Sequence, residues 1–221
     1  MNNASNWASP WQMYALDHND WALGPHALDG ATIPPVRRDR VPDGVAFTNS
    51  PTYKYVGSME SFRCAADRSK LRYQNKLVPR VISYAANAFL GEPSGYVTRA
   101  TAFKPARRLA DLTGPGPSEI YILLDEHENS INDAHYYPFD NLTTFSRNVW
   151  LDAPSGRHGN AGGFVFADGH AEIRKWKTPG LATVKKANDG STPRPYPDLP
   201  FIGASELSDY QWITNRIAAR R

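Results

Sequence analysis

Apolar and polar positions alternate most clearly in the last third of the chain, where residues 164–167 and 170–176 form two strand-like runs on either side of Asp168-Gly169. A period of two predicts strands, and a two-residue Asp-Gly link between them predicts a type I′ hairpin. The register that follows pairs Phe166 with Ala171 and Phe164 with Ile173 on a core face. Val165 with Glu172 and Ala167 with His170 then share a water face, because side chains alternate along each strand. A continuous apolar run, Ile120-Tyr121-Ile122-Leu123-Leu124, predicts a central strand over residues 119–125, covered on both faces. It delivers Asp125, Glu126 and His127 to its carboxyl end.

Shorter strands are expected at residues 53–56, 81–90 and 148–151. Helical spacing marks both ends of the chain. Trp7, Trp11 and Tyr14 share a helix face, and Ser9-Pro10 offers an N-cap followed by proline at the first helical position, which predicts a helix over residues 10–16. Near the carboxyl terminus, Ser205 caps a predicted helix over residues 206–218, with Leu207, Tyr210, Ile213 and Ile217 at helical spacing. Residues 105–112 suit a short helix or an extended stretch. Residues 17–51 and 187–200 are polar and turn-rich and predict long loops.

These elements make an α+β chain. At 221 residues with 41% hydrophobic content, it is read as a single domain over residues 1–221. No apolar run approaches the roughly 18 residues of a membrane span, so no membrane association is expected for the chain as given, and the amino end lacks the pattern of a signal peptide. The net charge is only +3, and the basic residues fall in scattered doublets, which gives nucleic-acid binding no support. The single cysteine, Cys64, cannot form an internal disulfide, and a small buried hydrophobe is its simplest role.

Three groups of residues carry candidate chemistry. The segment from Asp125 onward is dense in oxygen donors, and Asp125, Ser130, Asn132 and Asp133 form a candidate calcium site, since calcium takes six to eight oxygen ligands. The alternative is a solvated turn in which Ser130 and Asn132 cap backbone groups. His158, Asp168 and His170 form a second cluster, suited to a transition metal or to a structural role in which His158 ties its loop to the Asp-Gly turn. Six Trp and eleven Tyr form the third, with Trp21, Trp150 or Trp176 as candidates for a partner-packing or carbohydrate-facing patch, and Trp11 and Trp212 as core.

A recurrent pattern runs through the same residues: His158, nine residues, then Asp168-Gly169, inside Arg157-His158-Gly159 and Phe166-Ala167-Asp168-Gly169-His170. Ahead of it lie Asn2-Asn3 with Trp11-Gln12-Met13-Tyr14, then Phe62-Arg63-Cys64-Ala65-Ala66-Asp67. Asp125-Glu126 with Ser130-Ile131-Asn132-Asp133 follows, and Asp209-Tyr210-Gln211-Trp212-Ile213 closes the order. In this order the chain resembles the His-x9-Asp-Gly family of pseudopilin-like proteins, which is similar to the major pseudopilin of type II secretion.

The resemblance implies a pilin-like fold, with an amino-terminal helix packed on a twisted antiparallel sheet and a short carboxyl-terminal helix. It implies the head of a structural subunit that assembles with copies of itself or with other pseudopilins on the extracytoplasmic side, stabilised by calcium. It also implies that Met1 stands just beyond a lost membrane helix and that Cys64 lacks its family partner. The competing reading is a metal-dependent hydrolase of the lactonase or esterase type on the same scaffold, with Glu126, His158, Asp168 and His170 as its catalytic set, joined by Asp125.

Overall fold

The computed structural model describes residues 3–25, 27, 45–73, 75–92, 97, 102–128, 130–131, 133–138, 149–150, 152–178, 199–200 and 204–220. A 3-10 turn (Asn3–Trp7) runs into helix α1 (Ala8–Asp17), followed by two one-turn helices, α2 (Val45–Thr48) and α3 (Tyr53–Val56). The strands are β1 (Lys70–Tyr73), β2 (Lys76–Pro79), β3 (Tyr84–Asn87), β4 (Phe103–Lys104), β5 (Tyr121–Asp125), β6 (His135–Tyr136), β7 (Val149–Trp150), β8 (Ala161–Phe166), β9 (Ala171–Lys175) and β10 (Leu199–Pro200). Helix α3, which ends at Gly57 with φ 71°, replaces the strand expected at residues 53–56. Helix α4 (Ala204–Thr214) and strand β11 (Ala219–Arg220) close the chain.

The fold is mixed α+β around a five-stranded sheet in the order β6-β3-β5-β8-β9. The pairs β3–β5, β5–β8 and β8–β9 are antiparallel, while β6 joins β3 in parallel, so the sheet is mixed where the resemblance implies an antiparallel one. Strand β5 lies at its centre with all five residues buried, as an unbroken apolar run requires when both faces are covered.

Helix α1 and the turn before it cover one face, where Trp7 and Trp11 pack with Tyr84, Ala86, Ile122, Leu123 and Val165. The Trp11 indole donates to the Ala167 carbonyl at 3.1 Å, and that of Trp7 to Ser61 at 2.9 Å, so both rings bury without losing a hydrogen bond. The helix starts at Ala8 rather than after Ser9. Pro10 therefore falls in the first turn, where backbone N–H groups lack helical partners and proline is tolerated.

Helix α4 covers the other face. Tyr210, Ile213 and Ile217 pack there with Tyr121, Leu124, Phe164, Phe166 and Trp176. The helix begins at Ala204, so Ser205 lies within it, and it ends at Thr214, short of the expected residue 218. Asn87 fastens the end of this region to the sheet: its amide donates to the carbonyls of Tyr121 at 2.9 Å and Ile217 at 2.7 Å, and its oxygen accepts from the Phe89 N–H at 3.0 Å. Trp150 and Trp176 are buried, which removes them from any carbohydrate-facing patch, and Trp11 is core as expected.

The hairpin β8–β9 departs from its expected register by one residue. Val165 pairs with Ala171, Phe164 with Glu172 and Gly163 with Ile173. The Gly169 N–H donates to the Phe166 carbonyl and the Phe166 N–H to the His170 carbonyl, each at 2.9 Å, which closes a three-residue loop, Ala167-Asp168-Gly169. Gly169 takes φ 95°, the left-handed position that ends such a loop. The same Asp-Gly pair thus serves a longer turn than the two-residue form. Strand β8 is buried throughout rather than on alternate residues, and Ile173 of edge strand β9 is exposed.

Candidate functional site

Strand β5 ends at Asp125, which is fully buried. One irregularity decides which way its carboxylate faces. Tyr121 pairs with Phe166 and Leu123 with Val165, so two residues of β5 advance against one of β8 and Ile122 is the extra residue of a bulge. Beyond the bulge, Leu123 and Asp125 share the face covered by α1, opposite Val165 and Tyr84. His158 reaches the same place from the loop before β8. Gly159 (φ 70°) and Asn160 (φ 62°) turn the chain sharply, and the His158 N–H bonds the Ala161 carbonyl at 3.2 Å. Cys64 arrives from the segment after the turn at Met59–Phe62.

The three side chains converge. His158 Nε2 stands 2.9 Å from Asp125 Oδ2 and 3.3 Å from Cys64 Sγ. The Gly163 N–H donates to the same Oδ2 at 3.1 Å, and Arg157 donates to Oδ1 at 3.1 Å. Arg157 is itself buried and also donates to the Glu126 carbonyl at 2.8 Å. Its guanidinium lies 3.8 Å from Asp67 and 3.6 Å from Glu128. Asp67 in turn accepts from the Ser83 hydroxyl at 2.6 Å and the Ser69 N–H at 2.8 Å.

Charge and burial compete at each of these groups. Burial pushes the Asp67 carboxyl up, but Arg157 and the hydrogen bonds from Ser69 and Ser83 outweigh it and hold it below the usual carboxylate range. Burial works against the Arg157 charge, and Asp67, Asp125 and Glu128 together more than restore it. Burial first, and the Asp125 charge second, push the Cys64 thiol up. The same two causes push the neighbouring Tyr84 hydroxyl far above its ordinary value.

These shifts limit the chemistry. A thiol with a raised pKa is a poor nucleophile, because the thiolate is the reactive form. A relay of the cysteine–histidine–aspartate kind also needs the imidazole to present one nitrogen to the sulfur and the other to the carboxylate. Here Nε2 faces both. What the arrangement offers is a sulfur, a nitrogen and an oxygen aimed at one another, all within 4.8 Å.

The residues singled out in the sequence are distributed differently from expectation. His158 is bonded to Asp125 and Cys64 rather than tied to the Asp-Gly turn. Asp168 and His170 pair with each other on the exposed hairpin tip, where Asp168 accepts from the His170 N–H at 3.1 Å and from its ring at 2.6 Å. Glu126 follows Asp125 and so faces the other side of the sheet, close enough to the Tyr136 ring for its charge to raise that hydroxyl's pKa after burial and the neighbouring Tyr121 and Asp152. The hydrolase set of Glu126, His158, Asp168 and His170 is therefore spread over three places.

Of the proposed calcium ligands, Asp125 belongs to the buried cluster. The Ser130 hydroxyl bonds the His127 and Ala153 backbone, and Asp133 accepts from the His135 N–H at 2.8 Å. Asn132 lies outside the described residues. For Ser130 the backbone-capping alternative is the one realised. Arg157 was missed as a site residue; its only signal is a basic residue immediately before a motif histidine. Comparisons with protein-family models, with curated proteins and with solved structures find no match to this chain.

Proposed function

We propose that this chain is the globular head of a pseudopilin-like subunit, a structural part that assembles with copies of itself or with other pseudopilins on the extracytoplasmic side. The observation that carries the reading is the meeting of motif segments far apart in sequence. Cys64 and Asp67, Asp125, and Arg157 with His158 join in one buried, ion-paired knot at the end of the central strand. Helix α1 lies over the same face of the sheet, as a pilin-like head requires. The Asp125 carboxylate is fully buried and engaged by Arg157, His158 and Gly163, which fixes the loop before β8 and β8 itself to the end of β5 rather than presenting a reactive group to solvent. Buried ionic groups that are all partnered specify one arrangement of the segments they join, and a subunit that transmits force through its head benefits from that.

The test is in the native host, with the chromosomal gene tagged and cells treated with an amine-reactive cross-linker before the surface fraction is sheared off. A ladder of cross-linked multimers in that fraction is expected. Recovery of the chain only as a cytosolic monomer overturns the reading, as does ester or lactone turnover by the purified protein that His158→Ala abolishes.

A further inference from the structure

We propose that Cys64 Sγ, Asp125 Oδ2 and His158 Nε2 form a binding site for a divalent transition metal of the zinc class. The donor set selects the metal. Calcium takes oxygens alone, whereas a thiolate, an imidazole and a single carboxylate oxygen suit zinc and its first-row neighbours. Neither histidine nor cysteine entered the calcium set read from the sequence, and the group that converges contains one of each.

The spacing fits an ion after a small adjustment. With bonds of about 2.0–2.3 Å, tetrahedral geometry separates nitrogen from oxygen by about 3.4 Å and sulfur from nitrogen by about 3.6 Å. The corresponding separations are 2.9 and 3.3 Å. These two pairs need to open by about half an ångström or less, the sulfur and the carboxylate oxygen lie within 4.8 Å, and the Arg157 and Gly163 contacts steady the carboxylate as the three donors adjust. Arg157 holds Oδ1, which leaves Oδ2 to turn toward the sulfur and the ring.

Charge balance points the same way. Binding releases the thiol proton to solvent and requires the imidazole to carry its proton on Nδ1, so that the Nε2 lone pair faces the ion. Among the ligands, the Asp125 carboxylate and the Cys64 thiolate carry two negative charges, which a divalent cation matches, while the Arg157 guanidinium is shared among Asp67, Asp125 and Glu128. Three protein ligands leave the fourth tetrahedral place to water, and the His158 side chain is partly exposed. The site is independent of the fibre reading, since an ion here braces the knot whatever the head assembles with.

The experiment is a cobalt titration of the untagged, chelator-treated chain in a weakly buffered solution. The expected result is saturation at one ion per chain, a thiolate-to-cobalt charge-transfer band and proton release in step with it. Zinc should raise the melting temperature, and calcium at the same concentration should leave it unchanged. Cys64→Ser, nearly isosteric, should lose the band, and His158→Gln should bind at least about tenfold more weakly. Near-ultraviolet circular dichroism checks that both variants are folded, and Asp125→Asn, which keeps the volume, is read the same way if either is not. No band on the wild-type chain, a band that survives Cys64→Ser, or an equal response to calcium each overturns the proposal.

Discussion

Replacing Arg157 with Met removes the guanidinium and keeps most of the side-chain volume. The Arg157 side chain is 8% exposed, and its contacts run to Asp125, the Glu126 carbonyl, Asp67 and Glu128. Without it, two buried carboxylates lose their shared counter-charge. Deleting one partner of a buried ionic group costs about 3–5 kcal/mol. Asp67 keeps its bonds to Ser69 and Ser83, and Asp125 keeps His158 and Gly163, which places the expected loss near the lower end, about 3 kcal/mol. For a chain of this length that is a fall in melting temperature of about 6–12 °C.

Urea unfolding followed by tryptophan fluorescence measures the loss, with Trp7, Trp11, Trp150 and Trp176 as buried reporters. A pH series adds a signature that simple loss of packing lacks. In the wild type the folded Asp67 pKa lies below the ordinary carboxylate value, so its stabilising contribution is full above that value and disappears as pH falls through the folded pKa. In the variant the Arg157 contribution to that depression is lost while the Ser69 and Ser83 hydrogen bonds remain, so ionised Asp67 contributes less stability at neutral pH. The stability gap between the two proteins should therefore narrow on acidification from pH 7. A loss below about 1 kcal/mol, or a gap that does not change with pH, refutes the electrostatic account of the knot.

Asn87→Ala removes three buried hydrogen bonds that join β3, β5 and the chain after α4. A loss of about 3 kcal/mol in urea unfolding is expected, and a loss under 1 would mean that water replaces the amide. Gly162→Ala places a methyl group 2.9 Å from the Ser155 carbonyl oxygen and 3.0 Å from the Trp176 ring; destabilisation of about 1–3 kcal/mol with a shift in Trp176 emission should follow, and an unchanged spectrum would show that the ring yields freely. Cys64 should react with a disulfide reagent far more slowly in the folded chain than in urea, because burial and the Asp125 charge disfavour its thiolate; equal rates would place the sulfur in solvent.

Much of the framework was legible in the sequence because it follows from periodicity. The run before Asp125 is the central strand, the tryptophan spacing at the amino end is a helix on the sheet, and Tyr210, Ile213 and Ile217 mark the inner side of the closing region. What failed were features set by a single residue's backbone. Asp168-Gly169 is compatible with two hairpin loops of different length, and the choice between them moved every pair by one position and left Ile173 in solvent. The helix start shifted because proline is compatible with any position in a first turn.

The site was half legible for a related reason. The segments around Cys64, Asp125 and His158 were each marked by the family resemblance, but a motif names residues without saying which face of a strand they occupy. Asp125 and Glu126 are adjacent carboxylates at one strand end, and alternation alone allows either to face α1. With regular pairing, Asp125 would share the face of Tyr121 and Leu123 and point toward α4, away from Cys64. The extra residue at Ile122 reverses that parity beyond the bulge. Ile122 and Leu123 then both sit in the cluster beneath α1, while Tyr121 and Leu124 remain on the α4 side. One inserted residue thereby brings Asp125, rather than Glu126, to the sulfur and the imidazole, and the chemistry of the knot follows from a register shift three residues before it.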